Sequence, residues 1–269
     1  MSTSLLAIPA AALYMLSGLM IGLRLFSGPD ERKPPRAVAL AAGFAALFLH
    51  AVALAYTTFT DQGLNVAFFN ILSLVAWTIA LLLLGSSVTK PVENLGIVVL
   101  PLAGLAALAA WRFPGMQLLP ETAPWGLRVH VLVSLLSYAL LALASVQAIL
   151  LAVQDRHLHR RRPGGFVRAL PPLQTMEALL FEMIAVGFVL LSVSLASGFI
   201  FLEDMFAQHL AHKTLLSVAA WTVFALLLWG RFRFGWRGRT ALRWTIAGFL
   251  VLMLAYFGSK AVLELILKR

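Results

Sequence analysis

Six histidines carry most of the ligand chemistry open to this chain, because it contains no cysteine and only 11 acidic residues. The missing thiol excludes a thiol–disulfide relay, a Cys-ligated metal and a thiolate nucleophile. His157 and His159 lie among arginines and read as solvated residues. His209 and His212 form an H-x-x-H pair in a short turn, a spacing that puts two rings on one helical face; with no third ligand nearby, they too read as solvated. His50 and His130 differ. His50 sits in the apolar run Ala46-Leu-Phe-Leu-His50-Ala-Val-Ala53, and His130 follows Trp125 and Arg128 at the start of another. Ionisable groups inside a membrane are costly and tend to be paired or functional. Singly, His50 reads at least as well as a neutral ring bonding a neighbouring helix, and His130 as a polar residue at headgroup level. Together, two histidines on different helices in one leaflet match what a haem iron requires of a helix bundle.

Polar atoms accompany both rings. Asn65, Asn70 and Ser73 fall at one end of a span, and Ser134, Ser137 and Tyr138 follow His130. Such groups orient a ligand or the second ring nitrogen of a histidine, or serve as plain interhelical hydrogen bonds of about 0.6–2 kcal/mol. In the haem reading, His50 and His130 approach each other as axial ligands, their nitrogens roughly 4 Å apart, twice a metal–nitrogen bond. Asn70, Ser134 and Tyr138 then form the polar rim of an apolar cavity, and Lys213 stands near its mouth for a propionate.

The elements that must position these residues are apolar runs. Hydrophobic residues make up 61% of the chain and the mean hydropathy is +0.91, which leaves little sequence for a soluble domain. A hydrocarbon core of roughly 30 Å takes about 20 apolar residues as a helix, and bare backbone groups cannot be left unpaired there. Eight such runs occur, at 5–26, 36–57, 67–85, 94–113, 127–153, 178–202, 214–230 and 242–266. The fold class is all-α: a polytopic transmembrane helix bundle forming one integral membrane domain over 1–269.

Basic residues collect in alternate gaps. Arg24, Arg32, Lys33, Arg36, Lys90, Arg156, Arg160, Arg161, Arg162, Arg168, Arg231, Arg233, Arg237, Arg239 and Arg243 follow spans 1, 3, 5 and 7, which is 15 of the 21. Arg112, Arg128, Lys213, Lys260, Lys268 and Arg269 lie on the opposite side. Short cytoplasmic loops are enriched in Lys and Arg, so the larger set is placed inside and both termini outside. The net charge of +10 then reads as a signal for topology and for anionic lipid headgroups, and not for nucleic acid.

Local punctuation agrees with these runs. Span 5 has no helix breaker from Leu127 to Arg161, a length of about 50 Å that outruns the bilayer. Pro171-Pro172 reset the chain, and Glu177 is placed in the first turn of span 6, where a negative charge suits the helix dipole. The stretch 112–126 reads as an amphipathic segment on the outer surface with Trp125 as an interfacial anchor. Gly18-x-x-x-Gly22 permits close helix approach. Nucleotide-loop, zincin and hydrolase-elbow motifs are missing, and no buried carboxylate pair marks a proton path.

Several segments together resemble the cytochrome c assembly family of membrane proteins: His130-Val-Leu-Val-Ser-Leu-Leu-Ser-Tyr138 opening a helix, Ala219-Ala-Trp-Thr-Val-Phe-Ala-Leu-Leu-Leu-Trp-Gly230, and Tyr256-Phe-Gly258. The likeness is greatest to the YpjD-like inner membrane members, where it extends to Leu49-His50-Ala51, to Pro171-Pro172-Leu173 through Glu177, and to Gly235-Trp-Arg-Gly-Arg239. The resemblance implies a bundle in the bacterial inner membrane that holds haem near its outer face, with cytochrome-maturation or other membrane proteins as partners. It carries His130 over as an outer ligand and His50 as an intramembrane ligand. The haem platform of the synthetase members corresponds to Phe206-Ala-Gln-His-Leu-Ala-His-Lys-Thr214, where Lys213 and Thr214 fit but the tryptophans and an Asp-Pro pair are missing. No second outer histidine follows Tyr256-Phe-Gly258. The expectation is a haem-associated membrane protein without catalytic residues. A haem-free scaffold or regulator of the same fold is the alternative, and a small-solute transporter a third.

Overall fold

The computed structural model describes residues 4–27, 32–60, 63–119, 125–159, 170–201, 211–258 and 260. Expectations placed on Arg160 to Arg162, Arg168, His209, Lys268 and Arg269 fall outside these residues. Eight helices are long and apolar enough to cross a membrane. They are α1 (Ser4–Phe26), α2 (Arg36–Thr58), α3 (Phe68–Thr89), α4 (Gly96–Arg112), α5 (Trp125–His159), α6 (Leu173–Phe201), α7 (Ala211–Phe234) and α8 (Gly238–Met253). A 3₁₀ turn, Glu93–Leu95, leads into α4, and a π-helical turn, Leu254–Gly258, extends α8. The eight expected runs are all found, because a span's length and apolarity are properties of the sequence alone.

The chain forms two compact units, residues 1–121 with 157–172, and 122–156 with 173–269. In the first, α1 packs on α2 and α4, and α3 packs on α4 and α2. Small residues bring these axes close. A Cβ on Gly104 would lie 3.2 Å from the Ala11 carbonyl oxygen, and one on Gly18 would lie 2.9 Å from the Pro101 ring. A Cβ on Gly22 would meet nothing within 4 Å, so only Gly18 of the Gly-x-x-x-Gly pair serves packing. The Ser17 hydroxyl adds a bond to the Ala39 carbonyl (2.7 Å), and the Trp77 indole N–H one to the Leu47 carbonyl (3.0 Å).

A small sheet unforeseen from sequence closes one end of this unit. Strands β1 (Phe59–Thr60), β2 (Gly63–Asn65) and β3 (Leu118–Leu119) pair antiparallel in that order, with Leu64 opposite Phe59 on one side and Leu119 on the other. Within the stretch 112–126, residues 112–117 are exposed, and Gln117 to Leu119 are tied to the connection between α2 and α3. Strands of two or three residues are too short to show an alternating pattern, so sequence reading passes over them. Gly63 makes the turn with φ of 126°, a region closed to residues bearing a Cβ.

In the second unit α6 packs on α7, α7 on α8, and the π-helical turn on both α7 and α8. The Gln147 amide of α5 donates to the Met176 carbonyl of α6 (3.0 Å), and the Ser137 hydroxyl to the Gly187 carbonyl (2.9 Å). At 35 residues and about 52 Å, α5 outruns a bilayer, as its lack of breakers foretells.

Candidate functional site

His130 lies on the second turn of α5, facing α6. Its Nδ1 stands 3.0 Å from the Ser194 carbonyl oxygen and 3.0 Å from the Ser197 hydroxyl, which itself donates to the Ser194 carbonyl (2.8 Å). A carbonyl can only accept, so in the neutral ring the proton sits on Nδ1 and the lone pair on Nε2. This is the arrangement by which metal-ligating histidines are oriented: one nitrogen tied to a backbone oxygen, the other left as donor to a metal. No hydrogen bond of Nε2 is found among the described residues. The ring is half-buried.

Serine hydroxyls build the surroundings. Ser134 donates to the His130 carbonyl (2.6 Å), and its oxygen accepts from the Ser194 hydroxyl at 2.6 Å. Ser134 and Ser137 on α5 thus face Ser194, Ser197 and Gly187 on α6. Sequence reading found His130, Ser134 and Ser137 but missed Ser194 and Ser197. The available signal was Ser192-Val-Ser194-Leu-Ala-Ser197, small polar residues at helical spacing within an otherwise apolar span. Ser192 has its own task, accepting the Trp221 indole N–H at 2.8 Å, while the Trp221 ring stacks on Phe188.

Tyr138, placed by sequence at a polar rim, has its ring among aromatics. It packs on Phe249, Tyr256 and Phe257, with centroids 5.3, 6.4 and 5.6 Å away. The segment from His130 to Tyr138 and the Tyr256-Phe-Gly258 segment therefore meet, and the second lies on the π-helical turn, an irregularity frequent at functional sites. Lys213 is half-buried in the first turn of α7.

His50 and Asn70 belong to the first unit; His130, Ser134, Tyr138 and Lys213 belong to the second. His50 is 1% exposed, and both its nitrogens are engaged: Nε2 with the Ser73 hydroxyl at 2.8 Å, Nδ1 with the Tyr14 hydroxyl at 3.4 Å. Tyr14, itself fully buried, meets the imidazole edge-on with centroids 5.8 Å apart. One histidine thus joins α1, α2 and α3. Asn70 is equally occupied. Its amide donates to the Asn65 carbonyl (2.7 Å) and the Thr58 hydroxyl (3.1 Å), and its oxygen accepts from Thr57 (2.8 Å). Asn65 in turn ties Ala67, Gln117 and Gly115, so the two asparagines fasten the small sheet onto α2 and α3.

A second cluster in the second unit gathers the remaining resemblance-bearing segments. Glu177 is the fifth residue of α6, which begins at Leu173, so it lies beyond the first turn expected for it. Its carboxylate instead takes Arg231 at 2.5 Å and Arg237 at 3.6 Å, and the Arg231 guanidinium lies 4.5 Å over the Phe181 ring. The chain turns sharply at Gly235 (φ 66°), whose N–H bonds to the Arg231 carbonyl, and Trp236 folds back onto Gly230. A Cβ on Gly230 would fall 2.3 Å from the Trp236 ring, so only glycine fits there. The spacing Gly230…Gly235-Trp-Arg-Gly238 encodes this turn.

Comparison with known proteins accords with these features. Residues 38–267 match the family described as Cytochrome C assembly protein. Inner membrane protein YpjD of Escherichia coli is 34% identical over 237 residues, covering 86% of this chain and 88% of that protein. Cytochrome c biogenesis protein CcsA of Chlamydomonas reinhardtii is 28% identical over 204 residues, 72% of this chain and 57% of its own. Protein HemX of Brevibacillus brevis is 27% identical over 134 residues, 49% of each. No solved structure matches. With its eight membrane-length helices and a match running from α2 to the end of α8 and beyond, the chain belongs to the cytochrome c assembly family.

Proposed function

We propose that this chain is a multi-pass protein of the bacterial inner membrane that binds or handles haem near the outer face, without catalytic residues of its own. The observation that carries the reading is His130, whose Nδ1 is committed to the Ser194 carbonyl at 3.0 Å so that Nε2 is presented as the donor. That donor set fits a haem iron, for which one or two imidazoles suffice. Haem, when bound, supplies the iron and the redox couple; the chain supplies the imidazole and the serine framework that fixes its tautomer. His50, in the first unit, is a separate candidate ligand. It serves as one only by giving up a hydrogen bond to Ser73 or Tyr14. Lys213 remains the candidate for a propionate, and Tyr138 with Ser134 for the surrounding wall. The relatives named for cytochrome c biogenesis support haem handling as the common theme, and the YpjD relative supports the location.

A second reading, a scaffold of the same fold without haem, has the closed Tyr14–His50–Ser73 chain in its favour. One absorbance spectrum separates the two. Protein purified in mild detergent from haem-replete cells should show a Soret band in the haem reading and none in the scaffold reading. The band should fall with His130→Ala in protein that still elutes as a folded species. A full Soret band in that variant would end the assignment of His130.

A further inference from the structure

The short turn between α7 and α8, with the helix ends beside it, carries five arginines at 231–243, and most of their charges are left uncompensated among the described residues. Of its arginines, Arg231 is neutralised by Glu177, and Arg237 shares the same carboxylate at 3.6 Å. Arg233, Arg239 and Arg243 are exposed and meet no carboxylate among the described residues. Arg239 and Arg243 stand four residues apart on α8, where like charges face each other and repel unless an anion lies between them.

Rings crowd the same turn. Trp229, Phe232 and Phe234 are 57%, 84% and 60% exposed, while Trp236 stacks on Trp244 at 5.4 Å and so holds the turn rigid. Only residues 235–237 separate α7 from α8, and Trp236 is folded back on Gly230. From Trp229 to Phe234 the helix rises about 8 Å, close to the thickness of one headgroup layer, roughly 5–8 Å. A turn this short cannot leave that layer. Exposed rings and guanidiniums where α7 ends and α8 begins suit a surface that is apolar on one side and phosphate-bearing on the other. A soluble acidic partner would require Phe232 and Phe234 to stand in water until it arrived.

We propose that Arg233, Arg239 and Arg243, with the rings of Trp229, Phe232 and Phe234, form a binding surface for the phosphates of anionic phospholipids. Guanidinium forks take phosphate oxygens in pairs, the rings seat among the first acyl carbons, and the pinned Trp236 fixes the spacing of the arginines. The proposal is independent of haem, and its test reads lipid alone.

The test is lipid retention. Full-length protein is equilibrated in mixed micelles of phosphatidylglycerol and phosphatidylcholine at equal amounts, exchanged into lipid-free detergent, and its retained lipid is identified by mass spectrometry. Wild type should retain phosphatidylglycerol over phosphatidylcholine. The triple variant Arg233→Gln/Arg239→Gln/Arg243→Gln should lose that preference by roughly tenfold or more. Arg112→Gln, in the other unit, should keep it. The corresponding triple lysine variant, which keeps charge but not the fork, should fall between. Unchanged preference in the glutamine variant overturns the proposal. So does displacement of the lipid by inorganic phosphate or by a soluble acidic peptide at equal charge, which would make this a soluble-anion or protein-docking surface. Near-wild-type elution on gel filtration checks that the variant folds; should it not, Arg239→Gln/Arg243→Gln gives the same reading with two charges removed.

Discussion

The Nδ1 of His130 lies 3.0 Å from the Ser194 carbonyl oxygen, across the α5–α6 seam, so a backbone atom sets the tautomer of this ring. A backbone acceptor cannot be removed by substitution. Ser197, also 3.0 Å away, can. Ser197→Ala should therefore keep the tautomer and lower haem retention by no more than a few-fold, whereas His130→Ala should lower it at least tenfold. Haem titration of detergent-purified protein, followed at the Soret band, measures both. Equal losses in the two variants would mean that the carbonyl does not orient the ring.

In the first unit, the Ser73 hydroxyl occupies His50 Nε2. Ser73→Ala removes one interhelical bond and should cost about 0.6–2 kcal/mol. If His50 is a ligand, the same variant should also raise haem affinity, because the competing hydroxyl is gone. His50→Ala leaves a void among three helices and should cost about 2–4 kcal/mol. Denaturation in detergent reads the stability, and haem titration reads the ligand role. Unaltered affinity in Ser73→Ala, beside a loss of stability, would mark His50 as a packing residue.

Gly230 has no space for a methyl group, since a Cβ would stand 2.3 Å from the Trp236 ring. Gly230→Ala should destabilise the second unit by about 1–3 kcal/mol through overpacking. Trp236→Leu should restore part of that loss, giving a double-mutant coupling well above zero. Additive losses in thermal unfolding would show that the ring does not define the turn.

Glu177 is the acceptor for Arg231 at 2.5 Å, both half-buried. Glu177→Gln should lower stability by about 1–3 kcal/mol, as a guanidinium loses its charged partner. Glu177→Asp should recover less than half, because the shorter side chain does not span the distance. Chemical denaturation of the three proteins checks this, and equal stability of Gln and Glu at this position would reduce the pair to a surface contact.

Both termini are expected outside, because 15 basic residues follow spans 1, 3, 5 and 7 and 6 lie elsewhere. A periplasm-active reporter placed after Arg269 should be active, and one placed between Phe234 and Gly238 inactive. The reverse pattern would invert the assignment of the faces, and with it the leaflet assigned to His130.

The sequence by itself determined the class of the protein, the number of crossing helices and most of their ends. Apolar length is a one-dimensional property, and a bilayer leaves helices as the only form for runs such as Ser4–Phe26 or Arg36–Thr58. It also singled out His50 and His130, because a histidine inside an apolar run is costly and visible as such. What each ring does was decided only by tertiary structure. A hydrogen bond from His130 Nδ1 to a carbonyl 64 residues away, or one between His50 Nε2 and a serine hydroxyl 23 residues away, depends on which helix faces which. Hydropathy is blind to that, since α3 to α7 differ little in apolarity from one face to another. The same holds for Glu177, which reads as a dipole-stabilising residue along the chain and becomes the partner of Arg231 only once α7 is packed beside α6. Strands of two residues at Phe59–Thr60 and Leu118–Leu119 likewise exist only as a pairing between segments distant in sequence, with no local pattern to announce them.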